Sequence, residues 1–167
     1  MEFPTKLKRF NYAAAVLAGM IILVIGILST MEGILRGIFN HPTTWSLDIC
    51  QYLLIWAIFL GSAYAFQEKS HVAVDFIREK IGMKFGMNMQ KKISITGYLF
   101  TIIFVLVLAW NSIDMLAYGI KWGKLTRGTI QIPISWLYSA ILIGSIVMTI
   151  TLFFIILSLI SGKKEYL

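Results

Sequence analysis

Apolar residues in this chain run together in long blocks. From the N-terminus, four such stretches cover about residues 12–35, 46–66, 93–117 and 134–160, and almost all ionisable side chains fall in the gaps between them. A helix rises ~1.5 Å per residue and a bilayer's hydrocarbon core is ~30 Å thick, so roughly 20 apolar residues cross it. All four stretches qualify. The pattern predicts an all-α integral membrane fold, with residues 1–167 forming a single domain of four transmembrane helices. The fourth stretch is the longest, which implies tilt or an extension beyond the lipid.

The segment between the second and third stretches is neither a tight turn nor a plain polar loop. Val74, Ile77, Ile81 and Phe85 recur at intervals of three, four and four, with Arg78, Glu79, Lys80 and Lys84 in the gaps. This is the pattern of an amphipathic helix lying in the membrane interface, and it predicts an interfacial segment over about 72–90. Gly82 and Gly86 weaken that helix and can divide it in two.

The first connection holds His41-Pro42, and Pro42 forbids a continuous helix there. Trp45 follows at interfacial depth. The third connection, about 118–133, carries Gly119, Gly123 and Gly128 with three cations. Pro133 then opens the fourth helix, where its missing N–H costs nothing, and Trp136 and Tyr138 sit at headgroup level.

Hydrophobic residues make up 58% of the chain, which excludes an ordinary soluble domain. The formal charge of +7 invites a nucleic-acid reading, but the cations sit at span ends, where they meet headgroups and cytoplasm, so no nucleic-acid partner is expected. Lys6, Lys8 and Arg9 before an apolar run resemble a secretory signal. That run far exceeds the ~7–15 residues of a signal core, so an uncleaved first helix is expected. Eleven Lys and Arg fall on one side of the predicted membrane. Only Arg36, Lys121, Lys124 and Arg127 fall on the other, which places both termini in the cytoplasm.

Three acids approach the hydrocarbon. Glu32 precedes Arg36 by one turn and predicts an ion pair. Asp48 is placed in the first turn of the second helix, complementing its N-terminus. Asp114 comes late in the third span, near the outer side, where structural or subunit-contact roles are expected of all three. Ala57, Gly61 and Ala65 form a four-residue small-residue spacing that permits close helix approach. Trp56, Phe59 and Phe66 read as lipid-facing surface and interface anchors.

Catalytic chemistry is not legible. The single cysteine, Cys50, lies inside the second span, and His41 and His71 fall on opposite sides, which excludes a facing axial pair for haem. There is no Gly-rich phosphate loop, acidic metal cluster or nucleophile–base pair. His71 and Asp75 at i,i+4 read better as a helix cap or interfacial hydrogen bond than as an acid–base dyad. No enzyme activity, cofactor or metal is expected.

From Trp45 through Asp75 the chain reads W-S-L-D-I-C-Q-Y-L-L-I-W-A-I-F-L-G-S-A-Y-A-F-Q-E-K-S-H-V-A-V-D. This resembles the signature of the small membrane subunit of TRAP transporters, the DctQ-like family. Trp45, Asp48, Tyr52, Trp56, Gly61, Ala63, Ala65, His71, Val74 and Asp75 fall on that signature. Thr129-Ile130-Gln131-Ile132-Pro133, with Trp136 and Tyr138, resembles the family's opening of the fourth helix. The first helix and the connection after Asp75 match only in character.

The resemblance implies a non-catalytic half of a permease in the bacterial inner membrane. In that family a periplasmic substrate-binding protein delivers an organic anion, such as a sialic acid or C4-dicarboxylate. The large membrane subunit holds the substrate and sodium sites, and the small subunit braces it. Arg36, Lys121, Lys124 and Arg127 would then border a docking surface for the binding protein, or else contact headgroups. The rival readings are a self-sufficient homo-oligomeric transporter or channel, which calls for an acid deep in a helix, and an assembly subunit of another membrane complex.

Overall fold

The computed structural model describes residues 4–68 and 87–160, with the side chains of 87–91 excepted. The described residues form four helices: α1 (Thr5–Gly37), α2 (Thr44–Gln67), α3 (Met87–Trp122) and α4 (Ile134–Ile160). All four are long and apolar enough to cross a membrane. The expected interfacial segment falls almost wholly outside the described residues, apart from its last few positions, which belong to the start of α3.

Three of the helices outrun the hydropathy-based spans. A helix satisfies its own backbone, so nothing stops it where lipid ends. At its start α1 follows Pro4, which cannot continue a helix backwards but accepts from the N–H groups of Leu7 and Lys8. At its end α3 passes Tyr118, where a loop was expected, and runs to Trp122. It stops at Gly123, whose φ of 56° is left-handed. Between α1 and α2 the chain turns through Asn40, also left-handed at φ 52°, a conformation asparagine tolerates.

α2 is the central post, packed against α1 on one side and α4 on the other, while α3 packs on α4. Small residues set these approaches. Ala57 and Ala63 are buried, and a Cβ at Gly61 would lie 3.5 Å from the Cβ of Ala18 on α1. The closest crossing is elsewhere. A Cβ at Gly144 on α4 would stand 2.5 Å from the Cβ of Phe59 and 2.8 Å from its carbonyl oxygen, so only glycine fits. At one end of the bundle Ile155 and Leu159 are wholly enclosed, with Phe66 of α2 and Ile95 and Tyr98 of α3 against them. The start of α1 and α3 and the end of α2 and α4 therefore share that end.

Outside these contacts the surface is apolar, as Leu23, Ile27 and Phe100 show, each 69% exposed. A water-facing protein does not carry such a surface over whole helices; a lipid-facing one does.

Candidate functional site

Two clusters of polar side chains bind the described elements together, one at each end of the bundle. At the end where α1 gives way to α2, Glu32 is 5% exposed and uses both carboxylate oxygens. Oε1 pairs with Arg36 Nη2 at 2.8 Å, the i,i+4 pair expected from spacing. Oε2 accepts the backbone N–H of Thr43 at 3.0 Å and also the Thr43 hydroxyl. Thr43 is the N-cap residue of α2, yet its side chain caps nothing because Glu32 takes it. One acid on α1 thus fixes where α2 begins.

Asp48 does the same for the third connection. Its placement in the first turn of α2, complementing that helix's N-terminus, is not what the structure shows: that turn holds no acid. Instead Oδ2 accepts the backbone N–H of Thr129 at 2.5 Å and of Ile130 at 3.2 Å. A helix N-terminus offers a dipole, whereas a loop folded onto the carboxylate offers two aimed donors, and the aimed donors win. Gly128 makes the approach possible, since a Cβ there would lie 2.6 Å from the same oxygen. Tyr52, one turn along α2, carries its hydroxyl to 2.8 Å from Thr126 Oγ1 and 3.0 Å from the Ile130 carbonyl.

The connection held in this way is a short hairpin. Thr126 N–H donates to Ile132 O and Ile134 N–H to Lys124 O, each at 2.9 Å, with Leu125 bridged to Pro133. The Thr126 hydroxyl also accepts from the Ile132 N–H at 3.1 Å. Pro133 precedes the first residue of α4 and accepts from the Trp136 N–H at 3.0 Å. Beneath the hairpin, Ile49, Tyr52, Leu53, Ile130, Ile132 and Trp136 line a small apolar cavity of about 190 Å³.

The four cations expected on the outer side are all exposed on or beside this layer. Arg36 is tied to Glu32. Lys121 lies over the ring of Trp122 and Lys124 over that of Tyr118, each 5.8 Å from the centroid. Arg127 rides on the hairpin. Trp45 is partly exposed at the start of α2. Trp56 is not a lipid-facing anchor: its ring packs 5.2 Å from that of Trp136, and its indole N–H is enclosed with no acceptor among the described residues. Phe59 and Phe66 are likewise half-buried against α4. Their aromatic bulk fills gaps between helices, which hydropathy alone cannot distinguish from lipid contact. Ala65 is half-buried on α2. His71 and Asp75 lie outside the described residues.

The second gathering was not foreseen. Asn11 of α1, wholly buried, donates through Nδ2 to Gln67 Oε1 of α2 and to Thr151 Oγ1 of α4, both at 3.1 Å. Its Oδ1 has no partner among the described residues. The available signal was an asparagine at the head of an apolar run, opposite a glutamine closing another. Among the described residues, no group of three His, Cys, Asp or Glu could hold a metal.

Residues 25–162 match the family described as "Tripartite ATP-independent periplasmic transporters, DctQ component". That range takes in Glu32, Asp48, the hairpin and the Phe59–Gly144 crossing, and leaves out Asn11. A Haemophilus influenzae protein named "Putative TRAP transporter small permease protein" is 34% identical over 84 residues, or 50% of this chain. The matched stretch is 52% of that protein, so the chain spans about half the length of the curated relative it matches.

Proposed function

The chain belongs to the DctQ component family of tripartite ATP-independent periplasmic (TRAP) transporters, and from that membership we propose that it is the small, non-enzymatic membrane subunit of such a transporter. It braces a large membrane subunit in the bacterial inner membrane, with both termini in the cytoplasm. The large subunit moves an organic anion, a sialic acid or a C4-dicarboxylate, by sodium symport. A periplasmic binding protein delivers that anion to the outer layer bordered by Arg36, Lys121, Lys124 and Arg127.

The observation that carries the bracing role is how Glu32 and Asp48 are spent. A transporter coupling to ions keeps carboxylates free toward a cavity; here both hold connections through backbone N–H groups. A rigid outer layer on a central α2 post suits a scaffold against which another subunit moves. Exposed cations on that layer suit an acidic partner, whose encounter they would steer.

Reconstitution in proteoliposomes tests this. Sodium-dependent uptake of labelled sialic acid or C4-dicarboxylate is expected only when this chain, the large subunit and the binding protein are combined. Solute accumulation driven by this chain alone would overturn the reading. Within the working system, Arg127→Glu is expected to weaken capture of the binding protein about tenfold at low salt; unchanged capture would remove the docking role alone.

A further inference from the structure

Asp114 stands apart from the other two acids. It is exposed on α3, with no hydrogen bond or ion pair among the described residues. Its depth makes that costly. It lies ~12 Å along the helix from Trp122 at ~1.5 Å per residue, and ~7 Å further in than Gly119, which packs against Ser135 at the head of α4. A carboxylate turned toward lipid at that depth is strongly disfavoured, and such groups face protein or water.

Asn111, one turn deeper, is exposed as well. Its Nδ2 donates to Val107 O at 2.9 Å, so its Oδ1 is left as an outward acceptor. The two polar residues sit in a seam: Phe100, Phe104, Val107, Asn111, Asp114 and Tyr118 follow one another at alternating steps of four and three, and all are exposed. Any lengthwise row on a helix has this spacing and can pack along another helix; the two polar groups set this row apart. The exposed face of α1 differs. It is as apolar, but the Thr30 hydroxyl is spent on Gly26 O at 2.8 Å, and no unsatisfied acid lies on it. Lipid suits that face and does not suit the seam.

We infer that the seam on α3 seats a transmembrane helix of the large subunit, which presents an arginine or lysine side chain to Asp114 and a hydrogen-bond donor to Asn111. The Asp114 carboxylate brings acceptors alone, and Asn111 adds its Oδ1 beside them; these define the chemistry of the partner. This rests on the reading of the chain as a TRAP small subunit.

The test is co-purification of the large subunit on this chain, tagged and co-expressed, for wild type, Asp114→Leu and the α1 control Ile27→Ala. The melting temperature of each variant purified without the large subunit is measured alongside. Asp114→Leu is expected to cut capture about tenfold or more while leaving the melting temperature of the chain alone unchanged or raised, because an unpaired acid has left the lipid face. A residue serving only this chain's own fold would lower both readings. Ile27→Ala is expected to change neither. A photo-crosslinking phenylalanine analogue at Phe104 is expected to reach the large subunit.

Full capture by Asp114→Leu overturns the seam while leaving the subunit reading intact. So does a crosslink from Phe104 to a second copy of this chain. Failure of the wild type to capture any large subunit sinks the subunit reading, and the seam with it.

Discussion

The two ends of the bundle are fastened by different chemistry. At the end that carries the hairpin, the carboxylates of Glu32 and Asp48 grip backbone N–H groups of the connections. At the opposite end, neutral groups of Asn11, Gln67 and Thr151 join three helices directly. A charge-assisted bond is roughly twice as strong as a neutral one, but a carboxylate among packed helices needs donors that helices do not have to spare. Loops at the water boundary have them. The strong fasteners are therefore found where connections can supply donors, and weaker ones where only side chains meet.

If that contrast is correct, the largest single effect belongs to Asp48. Asp48→Ala leaves the Thr129 and Ile130 N–H groups without their acceptor and is expected to cost about 2–3 kcal/mol. The loss should register as a lower midpoint in detergent unfolding and as faster proteolysis within 124–133. Intact protease resistance of the hairpin would show that its internal bonds suffice and that the carboxylate is incidental. Asp48→Asn should fall between, since an amide oxygen keeps the geometry and loses the charge.

At the other end, Asn11→Ala is expected to cost about 1 kcal/mol, within the range for interhelical hydrogen bonds in membranes. Thr151 softens the loss because its hydroxyl also donates to Val147 O at 2.9 Å. A cost equal to that of Asp48→Ala would erase the distinction drawn between the two ends.

Much of the layout could be read directly from hydropathy. The span over 134–160 coincides with α4, and the Glu32–Arg36 pair followed from i,i+4 spacing. The partners of Asp48 could not be read that way, because Thr129 and Ile130 lie some 80 residues away and donate through backbone that every residue possesses. Gly144 was equally hidden. The Ala57–Gly61–Ala65 spacing announced close packing on α2, while the tighter crossing places a lone α4 glycine on the large residue Phe59. Asn11 was hidden as well: it falls just before the first apolar stretch, and the groups that join these helices are neutral, so neither hydropathy nor charge marks them.

Tyr52→Phe removes one hydroxyl from the hairpin's inner side and leaves the ring over the apolar cavity. A cost of about 1 kcal/mol is expected, measured as the shift in the unfolding midpoint. Because Thr126 keeps its bond from the Ile132 N–H, the hairpin should stay folded and protease resistance should change little. A collapse of resistance matching that of Asp48→Ala would make Tyr52 the principal tether.

The finest discrimination comes from Gly128. In the wild type, Gly128→Ala places a methyl group 2.6 Å from Asp48 Oδ2, so the carboxylate must move off its two donors or the hairpin must lift. With Asp48→Ala already present the three atoms nearest to that methyl group are gone, and the backbone at Gly128 is not left-handed. The two substitutions should therefore be non-additive, with a coupling of about 0.5–1 kcal/mol in a double-mutant cycle and the alanine at 128 nearly silent in the Asp48→Ala background. Additive costs would mean that the hairpin does not close onto Asp48, and that glycine at this position serves the loop's own flexibility instead of a carboxylate's approach.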